Sequence, residues 1–269
     1  MIKNTIKICL VMTILAGLTA CETTSKSSIK SIGSSGSPST KSEFDRQKAA
    51  QIRLSAGLQY LNKGSYQNAK RHLDKALALG ANSANVHFGI AFYYEKVKEF
   101  DKAKKSYKKA LKMEPKNPDF LNGYGSYLCG IGKFKEANKY FDKAIDSPIY
   151  PDVSSALLNA GVCNKRGGNK NQAAVYFRKA LNRNNKLPVA LIEMAEFEFD
   201  KERYQRSYSY IKRYETVSAP SSQSLWLALR VAHFRKNKDD LASYAIKLER
   251  LFPDSEETAT FLDNKKKWM

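Results

Sequence analysis

Catalysis and metal binding need particular side chains at particular spacings, and this sequence offers few of them. Its only histidines are His72, His87 and His233, no H-E-x-x-H or G-x-S-x-G string occurs, and no cysteine pair has zinc-ligand spacing. The string Gly36-Ser37-Pro38-Ser39-Thr40-Lys41-Ser42 approaches a phosphate loop. It lacks the glycine before the lysine and follows no strand pattern, so its backbone has no cradle to offer a phosphate. The residues therefore predict no enzyme, no cofactor, no metal and no small-molecule substrate, and they leave a binding module. The remaining chemistry belongs to four cysteines, Cys9, Cys21, Cys129 and Cys163.

Two of the four sit in or beside the N-terminal leader. Lys3 and Lys7 precede an apolar run over residues 8–18, too short to span a bilayer, and small residues follow it before Cys21. This pattern predicts a signal peptide over 1–20. The string Leu18-Thr19-Ala20-Cys21 resembles a bacterial lipobox, which implies a diacylglycerol group on the Cys21 thiol, cleavage before it and acylation of the new amino terminus. Glu22 stands where an aspartate would resemble an inner-membrane retention signal, so the expected location is the outer membrane, lipid-anchored and facing the periplasm. The Ser-, Thr-, Lys- and Gly-rich segment that follows to residue 42 has almost no large apolar side chain and predicts a disordered tether. Removal of Lys3 and Lys7 takes the 46 basic residues to 44 against 26 acidic ones, so the mature chain carries +18. In the periplasm such a charge does not predict nucleic acid; it leaves a solvated face, an anionic lipid surface or an acidic protein.

The elements that carry the other two cysteines are set by a repeat. Within 84–117, Ile90, Ala91, Tyr94, Phe100, Ala103, Tyr107 and Ala110 are spaced as two antiparallel helices whose small residues let the backbones approach while the large ones fill the seam, and Pro115 closes the unit. The pattern holds its phase over 50–83, 84–117, 118–151, 154–187, 188–221 and 222–255, with two extra residues after Pro151. A helical hairpin recurring every 34 residues is the mark of the tetratricopeptide repeat. The expected fold is all-α, a right-handed superhelical solenoid of six such hairpins over 43–255, with a C-terminal tail over 256–269. Cys129 and Cys163 then fall on the first helices of consecutive repeats. After export they either form a disulfide or remain as two reduced core thiols, depending on how closely the helices approach.

The strings Tyr124-Gly125-Ser126-Tyr127-Leu128-Cys129, Asn159-Ala160-Gly161-Val162-Cys163, Ala190-Leu191-Ile192-Glu193-Met194-Ala195, Ser224-Leu225-Trp226-Leu227, Ser243-Tyr244-Ala245 and Arg250-Leu251-Phe252-Pro253-Asp254-Ser255 resemble the type IV pilus biogenesis and stability lipoproteins, the PilW/PilF family. The resemblance runs from the lipobox through all six repeats. It implies a pilotin-like role without enzyme activity, in which an outer-membrane lipoprotein helps a PilQ-like secretin reach the outer membrane and form its multimer. A tetratricopeptide-repeat lipoprotein that scaffolds peptidoglycan hydrolases or proteases is the alternative. Helix geometry turns positions 2, 5, 9 and 12 of each first helix toward the concave groove, and in the first two repeats these are mostly apolar. Leu54, Leu58, Leu61, Asn85, Phe88, Phe92 and Glu95 are accordingly the predicted partner groove, with Phe88 and Phe92 exposed enough to clamp a segment of the secretin.

Overall fold

Each repeat must reverse the chain between two helices, and it does so in the same way six times. The fifteenth residue of every repeat has a left-handed backbone: Gly64, Gly132 and Gly168 at φ 73, 79 and 82°, and Lys98, Glu202 and Lys236 at φ 62, 58 and 56°. The following N–H then donates back to the carbonyl five residues earlier, as in Lys133 to Leu128 at 2.8 Å and Asn169 to Asn164 at 2.8 Å. This satisfies a carbonyl that the end of the first helix leaves without a partner.

The protein was analysed as a computed structural model, which describes residues 38–80 and 83–268; the leader, Cys21 and the tether up to residue 37 lie outside the described residues. Among the described residues every regular element is a helix. The hairpins are α1 (Pro38–Asn62) with α2 (Tyr66–Leu79), α3 (Ala84–Lys96) with α4 (Phe100–Met113), α5 (Pro118–Gly130) with α6 (Phe134–Ile145), α7 (Val153–Arg166) with α8 (Lys170–Arg183), α9 (Pro188–Asp200) with α10 (Tyr204–Glu215), and α11 (Ser222–Phe234) with α12 (Lys238–Leu251). Two short helices, α13 (Glu256–Asp263) and α14 (Lys265–Trp268), follow. The helix starts have local causes. Pro118 and Pro188 occupy first-turn positions where no N–H is needed, and Asn117, Asp152, Asn169, Ser221, Asn237 and Ser255 accept hydrogen bonds from first-turn backbone amides.

Inside a hairpin the small residue of the first helix faces a large one of the second. A Cβ built on Gly125 would lie 2.8 Å from the Phe141 ring, and one on Gly161 2.5 Å from the Phe177 ring. Between hairpins, the first helix of each unit packs on the second helix of the unit before. Residues 42–269 form one compact unit on this plan. Its core is a chain of clusters joined by shared side chains, Tyr94, Leu187 and Ile192 among them, and has no single centre.

Four features depart from the sequence reading. Helix α1 begins at Pro38, so the last residues of the segment read as tether are helical. The tail after residue 255 is folded: Phe261 is fully buried against the last hairpin, where it covers an apolar face that no further repeat covers. Repeat five keeps its close approach although Ser207 replaces the usual alanine, because the Ser207 hydroxyl donates to the Ala195 carbonyl at 2.7 Å. The two-residue insertion after Pro151 goes with Tyr150, which turns inward, buries its ring and accepts from Asn122 Nδ2 at 3.1 Å.

The left-handed turns yield a direct expectation. A non-glycine residue there is held at a cost of about 1–2 kcal/mol, part of which glycine forfeits through its freer unfolded chain. Lys98→Gly, Glu202→Gly and Lys236→Gly should each stabilise the fold by about 0.5–1 kcal/mol and add nearly independently, while Gly132→Ala should destabilise it by about 1 kcal/mol. Urea midpoints of the single and triple variants check this.

Candidate partner-binding face

The first helices, α1, α3, α5, α7, α9 and α11, line one side of the stack, and their side chains decide what that side can hold. At the N-terminal end the expected open apolar groove is largely closed on itself. Leu54 and Leu61 are core residues, 7% and 5% exposed, and the Leu54 side chain occupies the space over Gly89, where a Cβ would come within 2.3 Å of it. Phe88 is a wedge between repeats: its ring stacks on Phe120 at 4.8 Å, meets Tyr107 edge-on at 5.6 Å and lies over Gly123, whose Cβ would fall 2.5 Å from it. The correction has a geometric cause. Positions 2, 5, 9 and 12 lie on the boundary between the groove and the neighbouring first helix, and a large apolar side chain there turns to the neighbour. What stays available is Asn85, which is exposed, with Leu58 and Phe92, which are half-buried.

Glu95 ends this surface. It is half-buried and accepts the Tyr107 hydroxyl at 2.7 Å. Burial raises its carboxyl above the ordinary range, against the pull of the Tyr107 hydrogen bond and of Lys96. Burial also raises the Tyr107 phenol, so the tyrosine remains the donor at any physiological pH.

The middle of the face is polar and tied. Asn159 Nδ2 donates to Asn122 Oδ1 at 3.0 Å across α5 and α7, and beside this bridge Cys129 and Cys163 are joined as a disulfide with Cα atoms 5.7 Å apart. That separation lies within the range a disulfide accepts. Between α6 and α7, Asn138 and Asn164 pair reciprocally at 3.2 and 2.9 Å.

The C-terminal end carries a second apolar stretch that the sequence reading did not extend to. Leu158, Val162, Ile192 and Trp226 are half-buried and Val189 is 45% exposed. Arg230 lies between the rings of Phe199, at 4.7 Å, and Trp226, at 5.7 Å; its Nε is buried without a hydrogen-bond partner, and burial lowers its pKa. Acidic groups nearby are already engaged, since Lys165 reaches both Glu193 at 2.6 Å and Glu196 at 2.8 Å, and Lys170 pairs with Asp200 at 2.7 Å. The signal was present in part: among the twelve residues that the same four positions return in repeats four to six are Leu158, Val162, Val189, Ile192, Phe199, Trp226 and Arg230, with polar residues at the other five. His72 stacks on Tyr60, His87 is buried and His233 packs against Trp268.

Residues 85–148 match the model of YpiA-like C-terminal tetratricopeptide repeats, and residues 125–188 match a general tetratricopeptide-repeat model. Over nearly its full length the chain is 29% identical to the type IV pilus assembly protein PilF of Pseudomonas aeruginosa, across 257 residues that cover 96% of this chain and 98% of that one. A solved structure of P. aeruginosa PilF superimposes with a TM-score of 0.75 at 30% identity, covering 82% of this chain and 99% of the other. The chain belongs to the tetratricopeptide-repeat proteins of type IV pilus biogenesis. A structure of PilW, described as a widely conserved type IV pilus biogenesis factor, aligns with a TM-score of 0.70 at 28% identity over 79% of this chain and 98% of that one. The family's fold is one that binds proteins, and in this member the concave side supplies two apolar stretches separated by a polar, cross-linked centre.

Phe88→Ala should accordingly lower stability by about 2–4 kcal/mol, read as a fall in melting temperature, because the ring belongs to the seam between repeats. Glu95→Gln keeps an acceptor for Tyr107 and removes a charge that burial disfavours. A carboxyl whose folded pKa is raised weakens the fold once pH rises through that pKa. The variant should therefore melt above the parent at neutral pH, and the gap should close as the pH falls below the ordinary carboxylate range.

Proposed function

We propose that this chain is a lipid-anchored pilotin of the type IV pilus, holding a PilQ-like secretin at the outer membrane while the secretin forms its multimer. The observation that carries the reading is the match to PilF over almost the whole of both chains. Cys21 carries the acyl anchor, the segment after it lets the repeats stand off the inner leaflet, and the concave face holds an extended or helical segment of the secretin. Leu58 and Phe92 supply the apolar contact and Asn85 bonds the bound backbone. The chain catalyses nothing in this role: it binds and positions, and its lipid fixes where that happens.

The test is an envelope fractionation joined to a pull-down. The parent chain should sediment with the outer membrane and return the secretin, while Cys21→Ser should appear uncleaved or soluble and leave the secretin without its multimer. Outer-membrane fractionation and normal pili in the Cys21→Ser strain would overturn the anchor. Capture that returns hydrolases or proteases in place of the secretin would overturn the pilotin role. Leu58→Ala with Phe92→Ala should weaken capture by about 2 kcal/mol; if only Trp226→Ala with Arg230→Ala does so, the secretin sits on the C-terminal stretch.

A further inference from the structure

The second helices present one feature that partner binding on the first helices does not use. The residue immediately before a buried core residue is basic in every repeat: Lys75, Lys109, Lys143, Lys179, Arg213 and Lys247 precede the buried Ala76, Ala110, Ala144, Ala180, Tyr214 and Leu248. One step along a helix turns the side chain by about 100°, so a fixed buried neighbour gives all six the same outward bearing, and all six are exposed. They form a column, one charge per hairpin, along the outer side of the stack.

The column is not neutralised. Among the described residues none of the six takes part in an ion pair. Lys143, Arg213 and Lys247 reach over Tyr140, Tyr210 and Tyr244 of their own helices, contacts that leave the charge in place. The charge is densest on α4, where Lys104, Lys105, Lys108, Lys109 and Lys112 stand without an acidic partner and Asp101 is the helix's only acidic residue.

We infer that this column docks on anionic phospholipid headgroups and lays the stack along a membrane surface with its first helices turned away from the lipid. The side-chain chemistry favours lipid over an acidic protein. Five of the six are lysine, a compact and strongly hydrated point charge that a mobile headgroup layer satisfies from any direction. Protein interfaces prefer arginine and aromatic anchors and are depleted in lysine, and the outer positions of α4 between Lys104 and Lys112 carry no large apolar group. A basic residue held at an anionic surface strengthens binding roughly fivefold, and the contributions accumulate along a row. The inference does not rest on the secretin reading, since it concerns the opposite side of the repeats and needs no lipid on Cys21.

The experiment uses residues 42–269, the compact unit that contains every core cluster. The protein should co-sediment with vesicles of phosphatidylcholine and phosphatidylglycerol in equal parts, fail to do so with phosphatidylcholine alone, and be released in about 1 M salt, where charges are screened within about 3 Å. Lys75→Gln, Lys109→Gln, Lys143→Gln and Lys179→Gln together should weaken binding by several hundredfold with an unchanged melting curve. A control with Lys63→Gln, Lys116→Gln, Lys186→Gln and Lys238→Gln has the same net charge and should keep most of the binding. In the unaltered protein, anionic vesicles should protect Lys109 and Lys143 from amine acylation while leaving Lys63 and Lys116 reactive. Equal binding to both vesicle types, equal loss in the control, or absence of protection overturns the proposal. So does a column variant that keeps its vesicle binding and loses capture of an acidic protein.

Discussion

Everything in this molecule depends on how closely two helices approach within a hairpin. The backbones come together where a small residue of the first helix meets a large one of the second, Gly125 under Phe141 and Gly161 under Phe177, and the ring has nowhere else to go. Once that contact is fixed in one unit, the turn must reverse the chain within three residues, which imposes a left-handed residue at the same place in each repeat. The remaining first-helix positions are then divided between the next hairpin and solvent. The partner face is what this division leaves over.

The order of dependence explains how much was legible in the sequence. Alanines and glycines set against large residues at a fixed period reveal the hairpins, because only small side chains tolerate the approach and the consequence is written in residue type. The groove was legible only in part. Phe88 and Leu54 stand at positions that geometry directs to the concave side, and they are indeed on the first helices, yet an apolar side chain at such a boundary minimises its exposure by lying against Gly123 or Gly89 of the next unit. Nothing in the residue type of Phe88 distinguishes the two outcomes; the glycine that receives it lies 35 residues later. Lys98, Glu202 and Lys236 give no sign of their left-handed backbones, which follow from the position they occupy in the repeat. Tyr150 and Phe261 escaped notice for the same reason, since each fills a space created by a departure from the repeat, an insertion in one case and the end of the stack in the other.

The two sides of the stack are held by different physics. The concave side gains its character from side chains that are partly withheld from water, so its available surface is small, and burial there raises the Glu95 carboxyl and lowers the Arg230 guanidinium. The outer side is the reverse: its charges are exposed, contribute little to the fold, and are free to be set by whatever lies outside. Charge can therefore be varied on the outer helices without disturbing the inner ones, because the core alanines between them insulate the two faces.

A stack of near-identical units held by nearest-neighbour contacts behaves as a one-dimensional lattice, and such a lattice comes apart from its ends. The bond between Cys129 and Cys163 changes that behaviour at one point. It joins α5 to α7 at the midpoint of the six hairpins, beside the Asn122 to Asn159 bridge, so a front of unfolding that starts at either terminus meets a covalent obstacle halfway. Closing a loop of 34 residues lowers the entropy of the unfolded centre by the equivalent of about 4 kcal/mol. Under tension applied between the two ends of the stack, the outer hairpins would yield in sequence and act as an extensible spring, while the central pair kept its shape as the last element to fail.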